Sequence, residues 1–246
     1  KGSNMLTIKK YTKNKTEEKL CLEINAPDKQ ITSPTILLLH AFTGKKENKT
    51  IHYLAKELYK NKYTTVQFDF SGHGQSEGNL TDATVSKQLD DIKSVIESLN
   101  LDLKNLIIIG NSFSGVTSLA FANKYPQLKS LILTSTRAKH LGYIDTLEKK
   151  DNKYYVFGNQ LCEEFIQDYT KHDPLKNISH YQNPILIIHG NKDALVPVDS
   201  ASLLYEKSNS KIKQLKIIQD ADHRYSQQEQ KEQVLQECLD FLKKIN

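Results

Sequence analysis

The chain has 246 residues, 38% of them hydrophobic and 26% charged, which is room for one large α/β domain with a full core or for two small ones. Its net charge of +5 is carried by scattered lysines with no long block of like charge, so nucleic-acid binding has no specific support. Three widely spaced cysteines form no CxxC pair, which suggests reduced thiols in a reducing, cytoplasmic compartment, and no apolar run approaches the ~18 residues needed to span a bilayer.

Residues 1–4, Lys-Gly-Ser-Asn ahead of Met5, read as an expression remnant, which leaves 5–246 for the folded unit. Leu6–Tyr11 and Lys19–Asn25 are short, partly alternating runs about a polar turn and read as an antiparallel hairpin. Asp28–Pro34 is a loop, and TILLLH (Thr35–His40) is a buried strand. Ile51, Leu54, Ala55 and Leu58 recur at helical spacing within Glu47–Lys60. Tyr63–Phe70 is the next strand, followed by the glycine-rich loop Gly72–Gly78. Val85, Leu89, Ile92, Val95, Ile96 and Leu99 make the clearest helical stripe.

Leu106–Gly115, LIIIGNSFSG, is the stretch around which the rest is organised. Branched apolar residues form a strand buried on both faces. A sharp turn then bears Ser112, and an apolar helix follows that stops at Tyr125-Pro126. Strand, tight turn with a serine, then helix is the layout of a nucleophile elbow, which lifts one hydroxyl clear of the sheet edge. The usual pattern is Gly-x-Ser-x-Gly. Here Ser114 takes the last position and Gly115 comes one place late.

Leu128–Thr134, Ile185–His189 and Gln214–Ile218 are further buried strands, and helices fall at Ser200–Lys207 and Gln228–Lys244. Buried strands alternating with helices imply a mostly parallel sheet covered on both faces. The stretch from Arg137 to Asn183 is too long for one crossover helix and holds Tyr143, Tyr154, Tyr155, Phe157 and Phe165. It reads as an insertion over the carboxyl ends of the strands, a small lid at 137–183. Its aromatic residues either shape a pocket for aromatic or medium acyl groups or pack the lid's own core.

A serine hydroxyl needs a base to take its proton, and the base needs a partner to hold its tautomer. In a strand–elbow–helix fold the order along the chain is serine, acid, histidine. Asp193 sits in the turn after Ile185–His189, and His223 follows the last strand. All three fall in that order at carboxyl ends of strands. Asp222, next to His223, is the main rival for the acid, although its adjacent position makes an inward hydrogen bond to the same imidazole awkward. A developing oxyanion needs two preorganised N–H donors. The expected pair is the backbone N–H of Phe113, after the nucleophile, and that of Phe42, in the loop after TILLLH.

Taken together, LLLHAFTG, DFSGHGQSEG, GNSFSG, HGNKDALVP and DADHRYS resemble the α/β-hydrolase superfamily. The resemblance is nearest to its small esterase branch of acyl esterases, feruloyl (cinnamoyl) esterases and monoacylglycerol lipases, and it covers almost everything from Thr35 onward. It implies a triad of Ser112, Asp193 and His223, an oxyanion hole of Phe42 and Phe113, a variable cap at 137–183, no cofactor, and a small-molecule ester as substrate. Ala41 departs from the usual His-Gly, which matters because alanine tolerates positive φ poorly.

Rival classes fit less well. Gly110–Gly115 has the spacing of a phosphate loop, but Val116-Thr117 stands where Lys-Ser/Thr is required. Gly72, Gly74 and Gly78 follow a strand, yet Glu77 occupies the third glycine position of a dinucleotide fingerprint. The histidines, at 40, 52, 73, 140, 172, 180, 189 and 223, form no i,i+4 pair and no HExxH, so no metal site is expected. His40 and His73 read as loop-structuring residues beside the mouth. A non-catalytic receptor on the same scaffold, or an acyltransferase, thioesterase or peptidase using the same three residues, are the alternatives.

Overall fold

Central strands buried at nearly every position, with alternate residues facing opposite cores, set the architecture. A computed structural model describes residues 7–26, 34–140 and 144–245. Residues 1–4, Leu6, most of the Asp28–Pro34 loop, and Gly142 and Tyr143 of the insertion lie outside them. In β3 (Thr35–Leu39) and β5 (Leu106–Asn111), Leu37, Leu39, Leu106 and Ile108 face one core, while Ile36, Leu38, Ile107 and Ile109 face another. A strand buried on both sides needs helices on both sides.

The first face is covered by α2 (Val85–Ser98), α3 (Phe113–Lys124), α5 (Pro174–His180) and α6 (Asp199–Lys207). The second is covered by α1 (Lys49–Lys60) and α7 (Gln228–Ile245), through Ile51, Leu54, Leu58, Val234, Phe241 and Leu242. Local chemistry sets the helix ends. The Thr84 hydroxyl accepts from the Lys87 N–H at the start of α2. Asp173 accepts from Leu175 and Lys176, with Pro174 in the first turn of α5.

The remaining strands of the main sheet are β1 (Thr7–Lys13), β2 (Lys19–Asn25), β4 (Thr64–Phe68), β6 (Ser130–Thr134), β10 (Ile185–Gly190) and β11 (Lys213–Ile218). Their order is β1-β2-β4-β3-β5-β6-β10-β11. The β1–β2 hairpin is antiparallel and joins β4 antiparallel, and every pair from β4 to β11 is parallel. The chain leaves β3 for β4 on one side, then crosses back to β5 on the other. The loops after β3 and β5 therefore diverge and leave a crevice at the carboxyl edge. Register brings that edge level: Leu39 is opposite Gly110, Asn111 opposite Thr134, and Ile188 opposite Thr134.

Between β6 and β10 the insertion forms a second, three-stranded sheet of β7 (Glu148–Lys150), β8 (Lys153–Val156) and β9 (Asn159–Gln160), then α4 (Phe165–Lys171). These strands are too short and too exposed to show an alternating pattern in the sequence. Next, α5 packs against α3 and α6 beside the main sheet. Phe165, Tyr169, Leu147, Val156 and Leu161 form an apolar cluster with Phe42, Phe113 and Val116 at the carboxyl edge. Cys21, Cys162 and Cys238 are free thiols. Among the described residues no helix is long and apolar enough to cross a membrane.

Candidate active site

The turn between β5 and α3 places Ser112 at φ 57° and ψ −116°, a region that residues with a Cβ seldom enter. The turn can be this tight because a Cβ at Gly110 would lie 2.4 Å from the Ser118 hydroxyl, and one at Gly115 would lie 1.9 Å from the Thr136 hydroxyl. Close approach thus falls at Gly110 and Gly115, not at 114. Ser114 is fully buried, with its Oγ accepting from the Asn111 N–H at 2.9 Å and donating toward the Leu39 and Asn111 carbonyls at 3.0 Å. The serine in place of glycine clips the elbow to the end of β3. The Ser112 N–H donates to the Thr134 carbonyl of β6 at 2.8 Å.

The structure brings Ser112, His223 and Asp193 into one hydrogen-bonded line. His223 Nε2 lies 3.0 Å from Ser112 Oγ, and His223 Nδ1 lies 2.7 Å from Asp193 Oδ2. With the carboxylate as acceptor, Nδ1 carries the hydrogen and Nε2 faces the serine as acceptor. Asp193 Oδ1 accepts from the Leu195 and Val196 N–H groups at 2.9 and 2.8 Å. The Asp193 side chain is wholly buried. Burial alone would raise its carboxyl, but hydrogen bonds from His189 and His223 outweigh it and hold the group well below the usual carboxylate range. Asp222 has a different job: its Oδ1 accepts from the Arg224 and Ser226 N–H groups at 2.9 and 3.1 Å, shaping the turn that carries His223.

That turn is braced from below. Ser135, at the end of β6 with φ 49°, places its hydroxyl 3.0 Å from the Tyr225 hydroxyl and 3.2 Å from the His223 carbonyl. The buried Tyr225 hydroxyl donates to the Ile188 carbonyl of β10 at 3.2 Å. A Cβ at Gly190 would meet the Ala221 carbonyl at 2.2 Å, so the loops after β10 and β11 approach each other only with glycine there.

Phe42 and Phe113 both line the cavity above Ser112. Their rings sit 5.0 Å apart, with Phe165 of α4 5.8 and 5.9 Å from them. The positive φ of the loop after β3 falls on Thr43, at 58°, so Ala41 needs no strained conformation. Underneath, His40 is fully buried, its Nδ1 donating to the Ala41 carbonyl and its Nε2 accepting from the Phe70 N–H. Burial, helped by neighbouring His73, pushes its imidazole down to about 3, so it stays neutral and holds the loop. His73 donates from Nδ1 to the Ser71 carbonyl. Both histidines bond loop backbone, and neither lines the cavity. The same loop is anchored by Lys46, whose ammonium lies 2.6 Å from the buried Asp69 carboxylate and whose N–H donates to it at 2.7 Å.

The cavity over this line measures about 780 Å³. Of the insertion's aromatic residues, Phe165 packs into the apolar cluster it shares with Phe42 and Phe113, while Tyr155 and Phe157 line the cavity.

A family model described as the alpha/beta hydrolase fold matches residues 34–163. The chain belongs to that family. Among solved alpha/beta hydrolase structures, Est1E from Butyrivibrio proteoclasticus, determined with ferulic acid bound, superposes with a TM-score of 0.84 at 22% identity, over 96% of this chain and 98% of that one. Alpha/beta hydrolase domain-containing protein 10 from mouse superposes with a TM-score of 0.83 at 18% identity, over 97% and 100%. A carboxylesterase of Bacillus subtilis is 21% identical over 232 residues, 86% of this chain and 93% of the relative.

Within this alpha/beta hydrolase, sequence reading missed His189. It is wholly buried at the end of β10, and its Nε2 lies 3.1 Å from Asp193 Oδ2 and 3.0 Å from the Val196 carbonyl. Two acceptors around one ring nitrogen require Nε2 to carry the hydrogen. Asp193 Oδ2 is therefore held from two sides, by His189 and by His223. The signal was present as the last residue of ILIIH, but nothing in the sequence marked its partner.

Proposed function

We propose that this alpha/beta hydrolase cleaves carboxylic esters, with Ser112 as nucleophile, His223 as general base and acid, and Asp193 as its orienting carboxylate. The observation that carries the reading is the continuous line of contacts, 3.0 Å from Ser112 to His223 and 2.7 Å from His223 to Asp193, opening into a cavity. His223 takes the Ser112 proton as the hydroxyl attacks the ester carbonyl. The backbone N–H groups of Phe42 and Phe113 receive the oxyanion, the second from the first turn of α3, where an N–H has no partner within the helix. The alcohol leaves with the proton from His223, and water then resolves the acyl-enzyme with the same histidine as base.

The segment 137–183 acts as a lid. Its Leu147, Tyr155, Val156 and Phe157 wall the cavity, which suits short or medium acyl groups or hydroxycinnamoyl esters. The solved Est1E with ferulic acid and the carboxylesterase relative lend support to that choice. The test is a panel of para-nitrophenyl esters and methyl ferulate, run beside thioester and peptide substrates and a Ser112→Ala control. Ester turnover should exceed the other classes and fall by roughly 10⁴-fold or more in the variant. Turnover that survives Ser112→Ala, or a thioester or peptide preference, would overturn the reading.

A further inference from the structure

The charges around the cavity are one-sided. Among the described residues, Lys49, Arg137, Arg224 and Lys231 line it, against a single carboxylate, Glu148. Lysine is abundant everywhere in this chain, but arginine is not: the sequence contains two, and both are here. A planar guanidinium fork is the side chain suited to carboxylate or phosphate oxygens.

Three of the cations are carried by segments that meet beside the cavity. The Thr50 hydroxyl donates to the Arg224 carbonyl at 2.6 Å, which fastens the segment holding Lys49 to the loop holding Arg224. The Lys231 ammonium of α7 lies over the Tyr53 ring of α1 at 5.7 Å, bringing the third cation to the same helix. No acidic residue occupies the first turn of α1. Three nearby carboxylates have partners: Asp222 the backbone of its own turn, Asp193 His189 and His223, and Glu47 Lys46 at 2.9 Å. Glu229 and Glu232 flank Lys231 on α7 but do not line the cavity. The inner wall, by contrast, is apolar, with buried Phe113, Val116, Leu147 and Val156.

From this we infer that the substrate is an ester carrying an oxyanion, carboxylate or phosphate, away from the scissile bond, held by Arg224, Lys49 and Lys231 while the neutral part lies against the apolar wall. This rests on the hydrolase reading above and narrows its substrate class. A like-charged lining also draws such substrates to the mouth and repels cationic ones.

Matched esters test it. In the acyl series, para-nitrophenyl hexanoate is compared with mono-para-nitrophenyl adipate and a phosphonate-terminated analogue. In the alcohol series, phenyl acetate is compared with meta-acetoxybenzoate. In the series whose charge reaches these cations, kcat/KM for the charged member should exceed that of its neutral partner by about tenfold or more. The ratio should fall toward unity in Arg224→Gln and Lys49→Gln, and in about 0.5 M sodium chloride, where the screening length shrinks to roughly 4 Å. The adipate and phosphonate arms show which oxyanion is preferred. Neutral esters turned over as well as charged ones in both series would overturn the anion site and leave ester hydrolysis standing. If no ester turns over, hydrolysis fails instead, and calorimetric binding of monomethyl adipate against methyl hexanoate to Ser112→Ala decides the anion site: equal binding ends it.

Discussion

Ser112 is held at φ 57° by glycines on both sides and by the N–H bond to Thr134, so the strained turn is over-determined by its surroundings. The same holds for the carboxylate at the other end of the line. Asp193 receives two backbone N–H groups on one oxygen and two imidazoles on the other. His189 contacts Asp193 and does not line the cavity, so in the proposed mechanism its role is to position that carboxylate. His189→Phe removes one of the donors that depress the Asp193 carboxyl, which then rises toward the ordinary range. We expect kcat to fall about tenfold with KM nearly constant, and the acid side of the pH–rate profile to move upward. His189→Asn, which retains an amide donor, should recover part of both. A profile unmoved in His189→Phe, with only stability reduced, would leave His189 as core packing. Nothing in ILIIH distinguishes such a histidine from any buried strand-end residue. Ser112, Asp193 and His223 were legible because each follows a strand in the required order.

At the scale of elements, the insertion is fastened to the main body in two ways. One is the aromatic cluster of Phe42, Phe113, Phe165 and Tyr169. The other joins α4 to the start of α2: the Asp168 carboxylate accepts from the Ser86 hydroxyl and, at 3.0 Å, from the Ser86 N–H, with His172 beside it at 3.8 Å. Burial would raise Asp168, but nearby His172 and the hydrogen bonds from Ser86 outweigh it and bring the carboxyl down to about 2. Because the folded value lies below the unfolded one, the stabilisation is complete above about pH 4 and is lost as pH falls through about 2. Asp168→Asn should therefore destabilise the protein by about 1–2 kcal/mol near neutral pH, and its difference from wild type should shrink as pH falls from about 4 to 2. Denaturant melts at several pH values give the answer; equal stability at neutral pH would show that the strap carries no weight. Ser86 and Asp168 lie 82 positions apart, and no local pattern links them. The two- to four-residue strands of the insertion were equally silent. The long apolar strands, and the stripe that became α2, were plain in the sequence because their burial is dictated by their own composition.

For the whole molecule, the decisive feature is the reversal of direction between β4, β3 and β5. It opens the crevice into which the loops after β3, β5, β10 and β11 all project, and it lets residues from distant parts of the chain meet. The parallel sheet was legible from buried strands alternating with helices. The meeting of the segments that carry Arg224, Lys49 and Lys231 was not, since it depends on how α1 and α7 lie together on one face of the sheet. The central claim is that this fold makes one hydroxyl, Ser112, a nucleophile through His223. Intact-protein mass spectrometry after exposure to a fluorophosphonate probe tests it most directly, on wild type, Ser112→Ala and His223→Ala. A single adduct located on Ser112, absent from Ser112→Ala and formed roughly 10³-fold or more slowly in His223→Ala, is the expected result. An adduct elsewhere, or undiminished labelling without His223, would contradict it.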